Sequence, residues 1–120
     1  MTVKQNEEFA VKIIEYLQKN ELFYNTSLYL NNKKYNTDAF RYDETAETQY
    51  GTYYITNDVD VTQAIKYCNP DTITMIFEGP LYDALNYGNG QVETDLNDIA
   101  AEYGLYLEQG FAWSLAFYEN

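Results

Sequence analysis

Large apolar side chains recur at the spacing of one helical face in two segments of the chain. The first segment, residues 7–19, carries Phe9, Ile13, Ile14 and Leu17 at these positions. The second, residues 94–103, carries Leu96, Ile99, Ala100 and Tyr103. Apolar residues three or four positions apart form a single stripe on an α-helix. The pattern therefore predicts two amphipathic helices, with Thr94 as the cap of the second and Gly104 as its end.

Cap and turn residues predict two shorter helices. Residues 61–68 follow Asp58 and Asp60, either of which can cap a helix, and they precede an Asn-Pro pair that ends it. Residues 79–87 begin with Gly-Pro and are followed by Gly88. Proline is favoured in the first turn of a helix and glycine just after the last, so this segment also predicts a helix.

The sequence between the first and second helices predicts β-structure. Leu28-Tyr29-Leu30 and Lys33-Lys34-Tyr35 flank Asn31-Asn32. Asparagine tolerates the left-handed backbone of a tight turn, so we expect a hairpin here. Residues 50–56 are rich in aromatic and β-branched residues and predict a further strand, preceded by a polar loop at residues 43–48.

Alternation of side chains predicts the remaining strands. Residues 72–78 place three large apolar side chains on one face and Ile76 on the other, which is typical of a central strand. The C-terminal segment predicts a hairpin of residues 105–108 and 111–118 around a Gln109-Gly110 turn. Its alternation directs one set of side chains toward the core: Phe111, Trp113, Leu115 and Phe117.

Together these elements predict a single α+β domain over residues 1–120, with a mostly antiparallel sheet packed by three or four helices. A chain of 120 residues has the length of one domain. A chain of this size buries roughly two-thirds of its unfolded surface, which is enough for one hydrophobic core.

Charged residues are distributed unevenly along the chain. Residues 1–41 contain six Lys and Arg against five Asp and Glu, whereas residues 42–120 contain Lys66 alone against fourteen acids. These segments contribute +1 and −13 to the net charge of −12. Concentrated like charge repels itself within a compact chain and attracts cationic surfaces. The composition therefore predicts a partner with a basic face, and it disfavours direct binding to nucleic acid or to anionic membranes.

Missing residue types exclude several kinds of chemistry. The chain has no histidine and one cysteine, Cys68, so it lacks the residues for a Ser-His-Asp triad, a histidine-ligated or cysteine-only zinc site, or an internal disulfide. The sequence shows neither a membrane-spanning stretch nor an apolar signal-peptide core. We expect a cytoplasmic binding protein that performs no catalysis and needs no metal or cofactor.

The predicted helix at residues 94–103 gathers carboxylates on the side opposite its apolar stripe. Asp95, Asp98 and Glu102 lie there at helical spacing, with neighbouring Cβ atoms about 5–6 Å apart. Such a row approaches the phosphate spacing of a nucleic-acid strand, which rises about 3.4 Å per nucleotide. Acids near a helix N-terminus are also stabilising by themselves, so a solvated helix face is the alternative. The candidate partner-binding residues are this row, its acidic neighbours and two aromatic residues: Asp83, Glu93, Asp95, Asp98, Glu102, Glu108, Tyr87 and Tyr106.

Two other acidic pairs have simple structural explanations. Glu78 and Asp83 flank a Gly-Pro pair and fit an acid–base or metal site, but also a helix cap beside an exposed helix residue. Asp58 and Asp60 resemble half of a calcium loop without its glycine and distal glutamate, which favours a helix cap.

In its length, acidity, tyrosine content and lack of histidine and catalytic motifs, the chain resembles the small acidic anti-CRISPR and anti-restriction proteins of phages and mobile elements. The resemblance implies that Asp and Glu side chains occupy the Lys and Arg positions with which a restriction or Cas9-type nuclease binds DNA or RNA. It also implies competitive inhibition in a bacterial cytoplasm, with fast association that salt weakens.

Three other interpretations remain open from the sequence. An immunity or antitoxin protein would use the same charges against one cognate basic toxin. A carboxylate enzyme or metal-binding domain would need two converging acids in a concave site. A generic acidic cytosolic domain would spread its acids over the whole surface. The C-terminal hairpin leaves an edge strand, so the sequence is compatible with either a monomer or a dimer.

Overall fold

The computed structural model describes residues 2–37 and 53–120. Within these ranges the helices are α1 (Val3–Lys19), α2 (Val61–Ala64), α3 (Gly79–Tyr87) and α4 (Gln91–Ala101). The strands are β1 (Thr26–Leu30), β2 (Lys33–Asn36), β3 (Tyr54–Asn57), β4 (Thr74–Phe77), β5 (Leu105–Phe111) and β6 (Ser114–Glu119). The loop predicted at residues 43–48 lies outside the described residues, as do residues 50–52 of the strand that became β3.

The six described strands form one sheet in the order β3-β2-β1-β4-β6-β5. Every neighbouring pair is antiparallel. β4 lies between β1 and β6, so the prediction of a central strand from its apolar residues on both faces is confirmed. The predicted single-domain α+β fold with an antiparallel sheet is confirmed as well.

The main hydrophobic core lies between one face of the sheet and helices α1, α3 and α4. Directly paired strand residues share a face, and Met75 pairs with both Leu28 and Leu115. These side chains pack with buried residues of the three helices: Phe9, Ile13, Leu17, Leu81, Leu96 and Ala100. Burial of large apolar side chains contributes about 1.5–3 kcal/mol for each one, so this face supplies most of the stability.

The opposite face of the sheet, which we call the reverse face, is covered by a smaller cluster. It carries Tyr29, Ile76, Ser114 and Tyr118, because neighbouring residues of a strand point to opposite faces. Helix α2 and the segment after it pack there through Val61 and Ile65, which lie against Tyr29. The reverse face therefore has its own apolar contacts but no layer of long helices among the described elements.

The β1–β2 hairpin forms as predicted. Asn31 and Asn32 adopt left-handed backbone conformations with φ of 51° and 59°. This pair of positive φ angles is that of the two-residue turn whose twist matches antiparallel strands. Asparagine tolerates the conformation better than residues with larger or branched side chains, which explains the turn at this position.

Helix α1 begins earlier than its apolar stripe indicates. The hydroxyl of Thr2 accepts a hydrogen bond from the Gln5 amide (3.1 Å), and the Gln5 side chain accepts one from the Thr2 amide (2.9 Å). This reciprocal capping box satisfies amides that have no partner within the helix. The helix consequently starts at Val3 instead of residue 7, and its predicted apolar stripe is buried.

The two short helices match the prediction to different extents. α3 spans residues 79–87 as predicted. α2 begins after Asp60, whose carboxylate accepts a hydrogen bond from the Thr62 amide (2.9 Å), but it ends at Ala64 instead of Cys68. Ile65 is extended, with φ of −136°, because its buried side chain packs against Tyr29 on the sheet.

Helix α4 also starts earlier than predicted, and Thr94 does not cap it. The cap is Gly90, whose φ of 86° suits glycine, and the Asn89 side chain accepts a hydrogen bond from the Gln91 amide (3.1 Å). The Thr94 amide donates to the carbonyl of Gly90 (3.1 Å), so Thr94 lies within the first turn. The regular helix ends at Ala101, and turn residues lead from there to Gly104.

The C-terminal hairpin has a different turn from the predicted one. Gln109 and Gly110 lie within β5, and the turn is formed by Ala112 and Trp113. The pairing of β5 with β6 shifts between Gln109 and Phe111, which marks a β-bulge at Gly110. The Phe111 amide donates to the Ser114 hydroxyl (3.0 Å) and so helps to close this shorter turn.

Because of the bulge, two of the four C-terminal side chains that were predicted to face the core do not do so. Leu115 and Phe117 are fully buried in the main core, as predicted. Phe111 and Trp113 lie outside this core, and Trp113 is 42% exposed. The alternation of a regular strand cannot continue through a bulge and a turn, so the inward direction inferred for these two residues is wrong.

Candidate partner-binding surface

Helices α3 and α4 carry most of the predicted partner-binding residues. Asp83 on α3 is exposed, and Glu93 and Asp98 on α4 are exposed as well. We call these three carboxylates, together with Glu102, the α3–α4 acidic surface. Residues 67–120 contain no Lys or Arg, so only other segments of the chain can neutralise this surface.

Asp95 does not belong to that exposed set. Its carboxylate accepts a hydrogen bond from the hydroxyl of Tyr16 on α1 (2.7 Å) and another from the side-chain amide of Gln91 (2.7 Å). Burial raises the pKa of Tyr16 above its ordinary range, and the hydrogen bond to Asp95 raises it further. Asp95 therefore joins α4 to α1, which corrects its predicted place on a ridge that faces solvent.

Glu102 is exposed, but it has a partner in α1. Its carboxylate lies 3.0 Å from the Nζ atom of Lys12, and this Nζ lies 5.3 Å from the centre of the Tyr103 ring. The hydrogen bond to Glu102 is the largest of the effects that raise the pKa of Lys12. Both charged side chains remain about half exposed, at 49% and 57%, so solvent and salt screen the pair.

The two predicted aromatic residues lie on different sides of the molecule. Tyr87 is 77% exposed at the end of α3, and its ring lies 6.1 Å from that of Tyr82. Tyr106 lies in β5 opposite Tyr118 of the reverse face, with the two rings 6.0 Å apart. Glu108, two residues after Tyr106, projects from the same face of β5. Tyr106 and Glu108 are thus separated from α4 by the sheet.

The reverse face also carries an aromatic row that the sequence analysis assigned in part to the core. Phe111 and Trp113 stack with ring centres 4.8 Å apart and an interplanar angle of 8°. Tyr67 lies against Phe111, with ring centres 5.1 Å apart, and is 47% exposed. Glycine marks a β-bulge as well as a turn, so Gly110, assigned to the predicted turn, was the available signal for this departure from alternation.

Other candidate residues have structural roles. Asp60 caps α2, and its hydrogen bonds with Thr62 lower the pKa of its carboxyl group. Cys68 is half-buried near Tyr29, and burial raises the pKa of its thiol, which disfavours the reactive thiolate. Among residues 2–37 and 53–120, no cluster of three or more histidine, cysteine or acidic side chains is arranged to hold a metal ion.

Comparisons with models of protein families, with curated proteins and with solved structures gave no match. None of the helices that the structure describes combines the length and the apolar character needed to cross a membrane.

Proposed function

We propose that this protein is a stoichiometric inhibitor that covers the basic nucleic-acid-binding surface of a nuclease. The observation that carries the proposal is the α3–α4 acidic surface, on which Asp83, Glu93 and Asp98 are exposed in a segment without Lys or Arg. Lys and Arg side chains that bind phosphates would find carboxylates there instead. The target is a restriction or Cas9-type nuclease, and the inhibition prevents its binding to DNA or RNA in the cytoplasm of a bacterial host.

The helical scaffold supports this role because it presents the carboxylates without rearrangement. Leu96 and Ala100 of α4 are fully buried, and their packing fixes the helix on the sheet. The bond from Tyr16 to Asp95 ties the same helix to α1. A preorganised surface loses little conformational entropy when a partner binds.

Glu102 can exchange its partner at small cost. Exposed ion pairs contribute little to stability, because both side chains are well solvated and flexible. A guanidinium group of a partner forms two parallel hydrogen bonds with a carboxylate, whereas the ammonium group of Lys12 acts as a point charge. A nuclease arginine would therefore displace Lys12 from Glu102 and extend the contact.

The mechanism is competition between two polyanions for one basic surface. The net charge of −12 steers a cationic protein toward the inhibitor and accelerates encounter. Salt screens this attraction, with a Debye length of about 10 Å at 0.1 M ionic strength. Inhibition should consequently weaken as salt rises, and added DNA or guide RNA should displace the inhibitor.

The test uses charge reversals that leave structural contacts intact. Glu93→Lys with Asp98→Lys changes two exposed residues of α4 and raises the net charge from −12 to −8. Glu7→Lys with Glu21→Lys gives the same net charge from exposed positions in and just after α1, and is the matched control. Asp95 is left unchanged because its replacement would remove the bond from Tyr16.

We expect the α4 double variant to raise the inhibition constant about tenfold or more, and the control to change it much less, since only the former alters the contact. The measurement is displacement of fluorescent DNA or guide RNA from a panel of Cas9-type and restriction nucleases and a basic nuclease toxin. Equal effects of the two double variants would contradict the assignment of the surface. Binding to the toxin alone would favour an immunity protein, and no binding at low salt would refute the proposal.

A further inference from the structure

The reverse face contains a pocket whose chemistry suits a planar cation. It has a volume of ≈ 390 Å³ and is lined by Tyr67, Glu108, Gln109, Gly110 and Tyr118. Two aromatic rings and one carboxylate thus border the same space. Aromatic faces attract cations, and a carboxylate pairs with them, so both kinds of side chain select the same charge.

One contact within the chain has the geometry of a cation–π interaction beside this pocket. Lys66 is the only basic residue of positions 42–120, and its Nζ lies 5.5 Å from the centre of the Tyr67 ring. Tyr67 in turn contacts Phe111 of the Phe111–Trp113 stack. The ring that borders the pocket thus lies within cation–π distance of Lys66 and also packs against Phe111.

Glu108 belongs to the same electrostatic environment as the pocket tyrosines. Burial raises the pKa of Tyr118, and the carboxylate of Glu108 is the next largest cause. The side chain of Glu108 is nevertheless exposed, so its oxygens are accessible from solvent. The pocket thus offers an accessible negative charge beside an aromatic wall.

We propose that this pocket binds an arginine side chain of a basic protein partner, with the guanidinium against Tyr67 and Tyr118 and paired with Glu108. A guanidinium is favoured over an ammonium because it is planar, stacks on rings and bonds a carboxylate with two parallel N–H groups. It is also more weakly hydrated and enters a partly apolar pocket at lower cost. The partner class rests on the proposed function, but the surface is a second one, across the sheet from the α3–α4 acidic surface.

The experiment compares hexa-arginine and hexalysine peptides of equal charge. Binding is measured by titration calorimetry and by the fluorescence of Trp113, the only tryptophan, which lies in the aromatic row beside the pocket. We expect hexa-arginine to bind about fivefold or more tightly than hexalysine, since only guanidinium groups combine stacking with bidentate pairing. Equal affinities, tighter binding of hexalysine, or no binding of either peptide would overturn the proposal.

Two pocket variants and one control locate the binding. Glu108→Gln removes the charge with little change in shape, and Tyr67→Ala removes a half-exposed ring. Glu21→Gln removes one exposed negative charge elsewhere. Each pocket variant should lower the preference for arginine over lysine about threefold or more, while Glu21→Gln should leave it unchanged, because a carboxylate outside the pocket offers pairing without the stacking on two rings. An unchanged preference in Glu108→Gln would overturn the proposal.

Failure of this proposal is distinguishable from failure of the proposed function. Equal affinities for the peptides, with nuclease inhibition that depends on Glu93 and Asp98, would reject the arginine pocket and retain the inhibitor. Selective arginine binding without any effect on nucleases would retain the pocket and reject the inhibitor. A quaternary ammonium probe, tetramethylammonium, completes the comparison: if it binds more tightly than free guanidinium, the assignment of a planar guanidinium ligand is wrong.

Discussion

At the scale of single residues, the acids of α4 differ in function because their neighbours differ. Asp95 accepts hydrogen bonds from Tyr16 and Gln91, and Glu102 pairs with Lys12. Asp98 lies between them in the sequence and is exposed. Three carboxylates on one predicted helix face thus include a structural anchor, an exchangeable ion pair and a solvent-exposed charge.

Tyr16→Phe should lower the free energy of unfolding by about 1 kcal/mol near pH 8, because it removes the bond to Asp95. The folded protein raises the pKa of Tyr16, so the folded state retains this proton more strongly than the unfolded state. The resulting stabilisation is complete below the unfolded pKa of about 10 and is lost as pH rises above it toward the folded value.

The measurement is urea unfolding of both proteins between pH 8 and pH 11. The stability difference between wild type and Tyr16→Phe should therefore decrease at the alkaline end of this range. Tyr87→Phe, which removes a hydroxyl from a 77% exposed side chain, is the control. A difference that stays constant across the range would exclude the proposed linkage.

At the scale of elements, two glycines set boundaries that the periodicity of apolar residues did not predict. Gly90 caps α4 four residues before Thr94, and Gly110 places a bulge where a turn was predicted. The bulge leaves Phe111 and Trp113 outside the main core and gives the reverse face its aromatic row. Because the turn lies at Ala112-Trp113 instead of Gln109-Gly110, the exposed aromatic row of the reverse face does not follow from the alternation of side chains.

Gly110→Ala should destabilise the protein by about 1 kcal/mol, the lower end of the range of about 1–3 kcal/mol for crowding in a packed site, because Gly110 is exposed. An added Cβ would lie 2.8 Å from the Cβ of Tyr67, so that the tyrosine must move. The near-ultraviolet circular dichroism of the Tyr67–Phe111–Trp113 row should change accordingly. Urea unfolding gives the stability.

The matched control for this substitution is the Tyr67→Gly background, which removes the Cβ that an alanine at position 110 would meet. In that background Gly110→Ala should cost less than in wild type, and the two changes should not be additive. Additive effects would show that the cost of alanine at position 110 arises from the bulged backbone and not from contact with Tyr67.

At the scale of the whole molecule, two surfaces of different chemistry lie on opposite sides of the sheet. The α3–α4 acidic surface presents carboxylates on helices, and the reverse face combines Glu108 with aromatic rings. The sheet lies between them, but the end of α3 reaches the edge of the pocket, where the Gln109 side chain donates a hydrogen bond to Asn86 (3.2 Å).

Sodium chloride should stabilise the protein by about 1 kcal/mol between low salt and about 0.3 M, because screening reduces repulsion among the excess acids. The Glu93→Lys and Asp98→Lys double variant has a net charge of −8 instead of −12 and should gain less. Thermal unfolding across a salt series measures both proteins. An equal gain in the two proteins would show that self-repulsion at α4 does not limit stability.

The sequence by itself determined the elements whose signals are local. Four features follow from the residue pattern of a short segment: the apolar stripe of α1, the Asn31-Asn32 turn, the bounds of α3 and the central position of β4. The charge asymmetry and the absence of histidine are likewise properties of the sequence alone. These features were sufficient for the α+β fold and for the hypothesis of a basic partner.

Only the tertiary structure decided which side chains meet. Tyr16 and Asp95 are 79 positions apart and Lys12 and Glu102 are 90 apart, so no periodicity could predict that α1 engages two of the acids of α4. The pocket of the reverse face joins Tyr67 to β5 and β6 in the same way. Helical and strand periods fix the direction of a side chain relative to its own element, whereas its partner depends on the packing of distant elements against each other.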